Sequence, residues 1–166
     1  SDSKSGGANF TGSLLIGHQT TGTLDNALYN LGVGFGTLQS ITTGDYNTAS
    51  GYQAMYSNTT GAYNAAFGYK ALYSNTTGDY NTASGYSALF SNTTGAYNTA
   101  TGHRALNTNT TGSSNTASGY RALYSNTTAS NNSAYGNQSL FNNMTGSSNV
   151  ATGYQSLYTN TSGGSN

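Results

Sequence analysis

Apolar and small residues recur along this chain with a period of seventeen residues. Glycine occupies every seventeenth position from Gly17 to Gly153, alanine recurs in the column of Ala49, and leucine recurs in the column that Met55 shares. A fixed period of this kind is typical of stacked coils, each of which buries its apolar side against its neighbours. We therefore predict an all-β parallel β-solenoid, or β-roll, of about nine 17-residue coils.

Each repeat contains two glycines, which divide it into two segments, 47–50 and 52–58 in the clearest example. Glycine favours tight turns, so we expect two short strands per coil. The alanine and leucine columns are expected to form the interior. Strict strand alternation would place Met55 on the same side as the variable residue Gln53, so the coil needs a bend after Gly51.

Asparagine marks the start of every coil. Parallel strands stack about 4.8 Å apart, which brings identical side-chain amides of successive coils within hydrogen-bonding reach. We therefore predict a structural ladder. It consists of Asn47, Asn64, Asn81, Asn98, Asn115, Asn132 and Asn149.

Aromatic residues form further columns, which a coil this thin leaves outside its core. One column runs through Tyr52. The other consists of Tyr56, Tyr73, Phe90, Tyr124, Phe141 and Tyr158. Aromatic stripes of this size usually mark an interface. We predict that the second column faces another chain, and that three rolls packed about one axis would bury it in a homotrimer.

The pattern divides the chain into three parts. Residues 1–12 lack the repeat and are expected to be a flexible leader. Residues 13–46 keep the glycine frame but are more apolar and lose several columns, which is typical of a capping or junction segment. Residues 47–166 form the regular array of 17-residue repeats.

Composition and charge exclude several classes of function. The chain carries four basic and four acidic residues and has no net charge, so we expect no nucleic-acid partner. No apolar run reaches the twenty residues of a membrane span, so we expect no insertion into a membrane. With no Cys and no Glu, the sequence offers no metal site, catalytic residues or cofactor site. We therefore predict that the protein is not an enzyme.

The string Asn-Thr-Ala-x-Gly-Tyr-x-Ala-Leu-Tyr-Ser-Asn-Thr-Thr-Gly recurs near 47–61, 81–95 and 115–128. It resembles repeats in phage tail fibre proteins and bacterial surface fibre proteins. Its Asn-x-Ala-x-Gly portion is similar to the head repeats of trimeric autotransporter adhesins, which form trimeric left-handed parallel β-rolls. The resemblance implies a non-catalytic fibre segment or receptor-binding head, located on a virion tail or at a cell surface.

One column varies freely and suggests where a ligand would bind. It reads Gln53, Lys70, Ser87, Arg104, Arg121, Gln138 and Gln155. His103, Arg104 and Arg121 are the candidate contacts to a cell-surface glycan or protein receptor, since neighbouring guanidinium groups can share an acidic group. The structural alternative is that these side chains are solubilising charges that oppose edge-to-edge association.

Two other functions stay open from the sequence. A self-assembling extracellular filament would stack coils end to end between molecules. An ice-binding solenoid would need a regular array of threonines, and the adjacent Thr59 and Thr60 lie next to a turn instead of across a flat strand.

Overall fold

The computed structural model describes residues 3–5, 12–17 and 26–166. These residues form strands and turns, without a helix. The strands are β1 Ser3–Ser5, β2 Leu14–Ile16, β3 Leu31–Val33, β4 Thr48–Ser50, β5 Ala65–Phe67, β6 Thr82–Ser84, β7 Thr99–Thr101, β8 Thr116–Ser118, β9 Ser133–Tyr135 and β10 Val150–Thr152. They form one sheet in chain order, and β2 to β10 are parallel with a register of one repeat. The predicted all-β parallel β-solenoid is confirmed.

The first edge of the sheet is covered by an antiparallel strand. Strand β1 pairs with β2, so that Lys4 lies opposite Leu15. Part of the expected leader, 1–12, thus joins the sheet, while residues 1–2 and 6–11 lie outside the described residues. In the expected capping segment, 13–46, β2 and β3 continue the register of the regular array.

The interior is narrow and continuous along the stack. The central residue of each strand from β2 to β10 points inward, and Ala49 and Ala66 are completely buried. The column of Met55 and a second alanine column through Ala54 complete the core. The predicted interior of alanine and leucine columns is confirmed. Small alanines on the strand allow the opposite wall of the coil to approach closely.

The prediction of a second strand at 52–58 is wrong. This segment is a succession of turns in which Gln53 and Met55 adopt left-handed φ angles of 53° and 50°. Ala54 and Met55 are therefore both buried, although strand alternation would separate adjacent residues. The backbone still bonds to neighbouring coils, since the Gln53 N–H donates to the Phe35 carbonyl at 2.8 Å and the Met55 N–H to the Ala71 carbonyl at 3.0 Å.

Two columns of buried asparagines connect the coils in different ways. In the predicted ladder, the Oδ1 of Asn47 accepts the backbone N–H of Asn64 at 3.0 Å, and its Nδ2 donates to the Gly61 carbonyl at 2.9 Å. Amide-to-amide bonds occur instead in the second column, where Asn75 Nδ2 donates to Asn58 Oδ1 at 2.7 Å. Each buried amide thus joins one coil to the next, which satisfies polar groups that water cannot reach.

The second glycine of the repeat is required for space and not for a left-handed turn. A Cβ at Gly61 would lie 2.6 Å from the Gly78 carbonyl oxygen and 2.5 Å from Asn58 Oδ1. Ala129 is the exception in this column, and the amide bond beside it, from Asn143 to Asn126, lengthens to 3.3 Å. The other bonds of that ladder measure 2.7 to 2.9 Å. A methyl group therefore loosens the ladder.

Candidate functional site

Exposed apolar side chains concentrate on one side of the solenoid. We call it the strand face: the outward side of β2 to β10 with the flanking aromatic columns through Tyr46 and Tyr52. Its exposed large side chains are Leu14, Ile16, Leu31, Val33, Phe67, Tyr135 and Val150 on the strands, Tyr29, Tyr46, Tyr63, Tyr80 and Tyr97 in one column, and Phe35, Tyr52, Tyr69, Tyr86, Tyr120 and Tyr154 in the other. Among the described residues, only Met144 adds an exposed large apolar side chain elsewhere.

The strand face also carries paired hydroxyl groups. Thr99 and Thr101 both point outward from β7, and a threonine and a serine occupy these positions in β4, β6 and β8. Phe67 and Tyr135 interrupt the array. These strand threonines were not predicted from the sequence, where only Thr59 and Thr60 were weighed, although the Thr-x-Thr spacing is visible at 99–101.

The Tyr46 column is a regular stack of rings. Tyr29, Tyr46, Tyr63, Tyr80 and Tyr97 lie with ring centres 4.9 to 5.0 Å apart and nearly parallel planes. Loss of water through this packing raises the pKa of Tyr46 above its usual 10, and the charges of Tyr29, Tyr63 and Asp45 add to the effect. The same causes raise the pKa of Tyr80.

These shifts predict a loss of stability in alkali. A phenol whose pKa is raised by folding stays protonated in the native state where the unfolded chain has already ionised. Its contribution to stability is therefore complete below the unfolded pKa of about 10 and is lost as the pH rises through the folded value. The phenolate absorbance of Tyr46 and Tyr80 should therefore appear at higher pH in the native protein than in the denatured chain, and the thermal midpoint should fall as pH increases above 10.

An Asp45 variant tests the smallest cause of the raised Tyr46 pKa, which is the charge of Asp45. Asp45→Asn keeps an oxygen that can accept the Leu28 N–H, which Asp45 Oδ1 now accepts at 2.7 Å. This variant should titrate slightly earlier than the parent at Tyr46. Titration of Tyr46 and Tyr80 in the native protein at the same pH as in the denatured chain would contradict the predicted alkaline loss.

The column predicted to face another chain lies on the next side of the coil. Its rings stack at 5.1 to 5.2 Å, as in Tyr73 with Phe90 and Tyr124 with Phe141. The column is half-buried within its own chain, whereas Tyr52 and Tyr63 are 45% and 49% exposed. Its role as an interface stays a prediction, and the strand face offers the larger exposed apolar surface.

Of the candidate ligand contacts, His103 lies within the Tyr52 column, and Arg104 and Arg121 follow it in the chain, before the Tyr56 column. His103 replaces a tyrosine in the first column and stacks between Tyr86 and Tyr120 at 5.1 and 5.3 Å. The guanidinium of Arg121 lies 5.2 Å from the Tyr120 ring centre and 5.5 Å from that of Tyr124. Such distances are typical of cation–π contacts, so the cation is positioned by the aromatic columns and not free in solvent.

Arg104 differs from Arg121 because one aromatic ring is missing beside it. Asn107 occupies the position that Phe90 and Tyr124 hold in the neighbouring coils, and Arg104 contacts only the Tyr86 ring, at 6.0 Å. The result is an open cavity of about 290 Å³, which we call the notch. Lys70, Ser87, Phe90, Arg104, Asn107 and Tyr124 line it.

Charge is segregated around the coil. Lys70, Arg104 and Arg121 share one column, whereas Asp45 and Asp79 accept backbone N–H groups of Leu28 and Ala62 in a turn elsewhere on the coil. The described part of the chain pairs none of these three cations with a carboxylate. The notch therefore has a positive potential although the whole chain is neutral.

Arg104, Arg121 and His103 were predicted from the sequence as ligand contacts, but the notch beside them was not. Two signals were present in the sequence: Asn107 interrupts an aromatic column, and Ser87 is the one short residue in the variable column. Within 12–17 and 26–166 no group of three metal-ligating side chains occurs, and the described residues include no helix that could cross a bilayer. Comparisons with protein-family models, curated proteins and solved structures found no match to this chain.

Proposed function

We propose that this chain is a non-catalytic fibre segment, either the shaft or the receptor-binding head of a phage tail fibre or a trimeric cell-surface adhesin. The observation that carries the proposal is the strand face, which holds nearly all exposed large apolar side chains of the described residues. Contiguous exposed apolar surface on a soluble protein marks an interaction site. Three copies that turn this face toward a common axis would bury it in a homotrimer.

The coil-to-coil bonding supports a mechanical role. Each regular coil is joined to the next by parallel strand pairing, by the buried Asn47 and Asn58 columns, and by stacked aromatic rings. Because strand pairing and the two asparagine columns join successive coils along the array, the stack resists bending. A rigid rod of this kind suits a fibre on a virion tail or a cell surface that holds a receptor-binding group away from the particle.

The proposal predicts which substitutions separate the chains. Leu31→Thr, Val33→Ser and Phe67→Ser give these strand positions the residues that Thr48 and Ser50 hold in the same columns. The triple variant should fold, because these side chains point outward, but its mass by sedimentation equilibrium should be that of a monomer while the parent is a trimer. The apolar area that drives association would be lost.

A second triple variant is the matched control for the location of the interface. Tyr56→Ser, Tyr73→Ser and Tyr124→Ser change the half-buried column and leave the strand face intact. If only this second variant dissociates, the interface lies on the Tyr56 column instead. A parent chain that is a well-folded monomer in dilute solution would overturn the trimer. An open distribution of masses would favour the self-assembling extracellular filament.

Ice binding is a second candidate function because of the hydroxyl pairs on the strand face. Threonine or serine occupies both outward positions in β4, β6, β7 and β8, on strands held in regular register. Thermal hysteresis of the parent that disappears in Thr99→Leu with Thr101→Leu would support this function. Absence of hysteresis in the parent would exclude it.

A further inference from the structure

The notch lies where one ring is missing from an otherwise regular aromatic stack. Rings in the Tyr56 column lie 5.1 to 5.2 Å from their neighbours one coil away. Phe90 and Tyr124 are two coils apart, so about 10 Å, twice the strand spacing, separates their rings. A ring placed midway would lie about 5 Å from each, close enough for its atoms to contact both aromatic faces.

The side chain at the gap does not fill it. Asn107 Nδ2 donates to the backbone carbonyl of Ser87 at 2.8 Å, a bond that draws its amide against the coils below. Ser87, one coil below, is short and 7% exposed, so the variable column sends no long side chain into the space from that coil. The cavity of about 290 Å³ is at the small end of ligand sites, which suits a single ring.

The surroundings of the gap are cationic and rich in hydroxyl groups. Arg104 lines the gap at the level of Asn107, and Lys70 lines it from two coils below. Neither cation is paired with a carboxylate among the described residues. The phenols of Tyr69 and Tyr86 complete the lining, with Ser87 at the floor. An arginine offers a planar fork of donors that matches a carboxylate. Hydroxyl and amide groups at the rim match a ring that carries its own hydroxyls.

We infer that the notch binds one acidic sugar ring, a hexuronate residue of an anionic polysaccharide. The sugar ring takes the place of the missing aromatic ring between Phe90 and Tyr124, with its C–H faces against their π faces. Its carboxylate lies toward Arg104 and Lys70. Of the residues that line the notch, Tyr69 and Tyr86 belong to the Tyr52 column, which borders the strand face. The other lining residues come later in each coil, away from the strands.

The inference rests on the proposed attachment function, for which it names the receptor chemistry. The two can fail separately. A monomeric parent that binds the sugar would overturn the trimeric fibre and leave the notch in place. A trimer that does not bind it would overturn the notch alone.

The test is calorimetric titration of the protein with a trisaccharide of galacturonic acid, a neutral galactose trisaccharide and benzoate. We expect binding of the acidic trisaccharide only, weakened by added salt. Asn107→Tyr completes the stack, so it should not lower the thermal midpoint. It should weaken binding at least about tenfold, which equals about 1.4 kcal/mol. Arg104→Ser should reduce affinity by a similar factor, about tenfold.

Asn137→Tyr is the matched control. Asn137 interrupts the Tyr52 column between Tyr120 and Tyr154, so the same substitution restores a stack outside the notch. This variant should bind like the parent. The inference is overturned if the parent does not bind the acidic trisaccharide at millimolar concentration, or if Asn107→Tyr binds as the parent does. Equal binding of the neutral sugar, or of benzoate, would overturn the acidic-sugar assignment.

Discussion

Asn81→Leu should reduce the free energy of unfolding by about 2 to 6 kcal/mol. Asn81 is completely buried, and its Oδ1 accepts the backbone N–H of Asn98 at 3.0 Å. Leucine cannot accept this bond, so a buried N–H is left without a partner. The Gly95 carbonyl loses the hydrogen bond from Asn81 Nδ2 but keeps the one from Asn92 Nδ2, so this second loss costs less stability than the unpaired N–H. The bulkier side chain also overpacks the interior.

The measurement is urea unfolding of Asn81→Leu beside Asn137→Leu. Asn137 is exposed in the structure, so its replacement should change stability by no more than about 0.5 kcal/mol. Equal stability of the parent and Asn81→Leu would show that the Asn47 column contributes nothing to the coupling of the coils.

Gly68→Ala is expected to have a similarly large effect, about 3 to 5 kcal/mol. Gly68 has a φ of 127°, and a Cβ there would lie 2.6 Å from the carbonyl oxygen of Gly85 in the next coil. That oxygen belongs to the backbone and cannot rotate away. The coils would have to separate, which would stretch the strand hydrogen bonds on either side.

Gly153→Ala separates the two causes of this effect. Gly153 has a φ of 116°, but nothing lies within 4 Å of its added Cβ. This variant should therefore show only the backbone strain, about 1 to 3 kcal/mol. If the two variants lose the same stability in urea unfolding, the close approach of the coils is not what requires glycine in this column.

The sequence predicted less of the candidate ligand site than of the core. Arg104 and Arg121 were predicted as ligand contacts because the residue type in their column varies from coil to coil. Arg104 lines the notch, and Arg121 lies beside it. The notch itself depends on the Tyr56 and variable columns lying side by side, which the strand assumption for 52–58 obscured. The interface at the Tyr56 column stays a prediction, and the structure adds that stacking leaves this column half-buried within one chain.

The sequence by itself determined the architecture, because a strict repeat of seventeen residues allows every coil to pair with the next in the same register. It also determined the interior, since alanine, leucine and asparagine recur where the coil has no room for change. Only the tertiary structure decided the path of 52–58, where left-handed residues such as Gln53 and Met55 replace a strand. Local preferences disfavour that conformation, and it is held by hydrogen bonds to the coils above and below, which no single repeat contains.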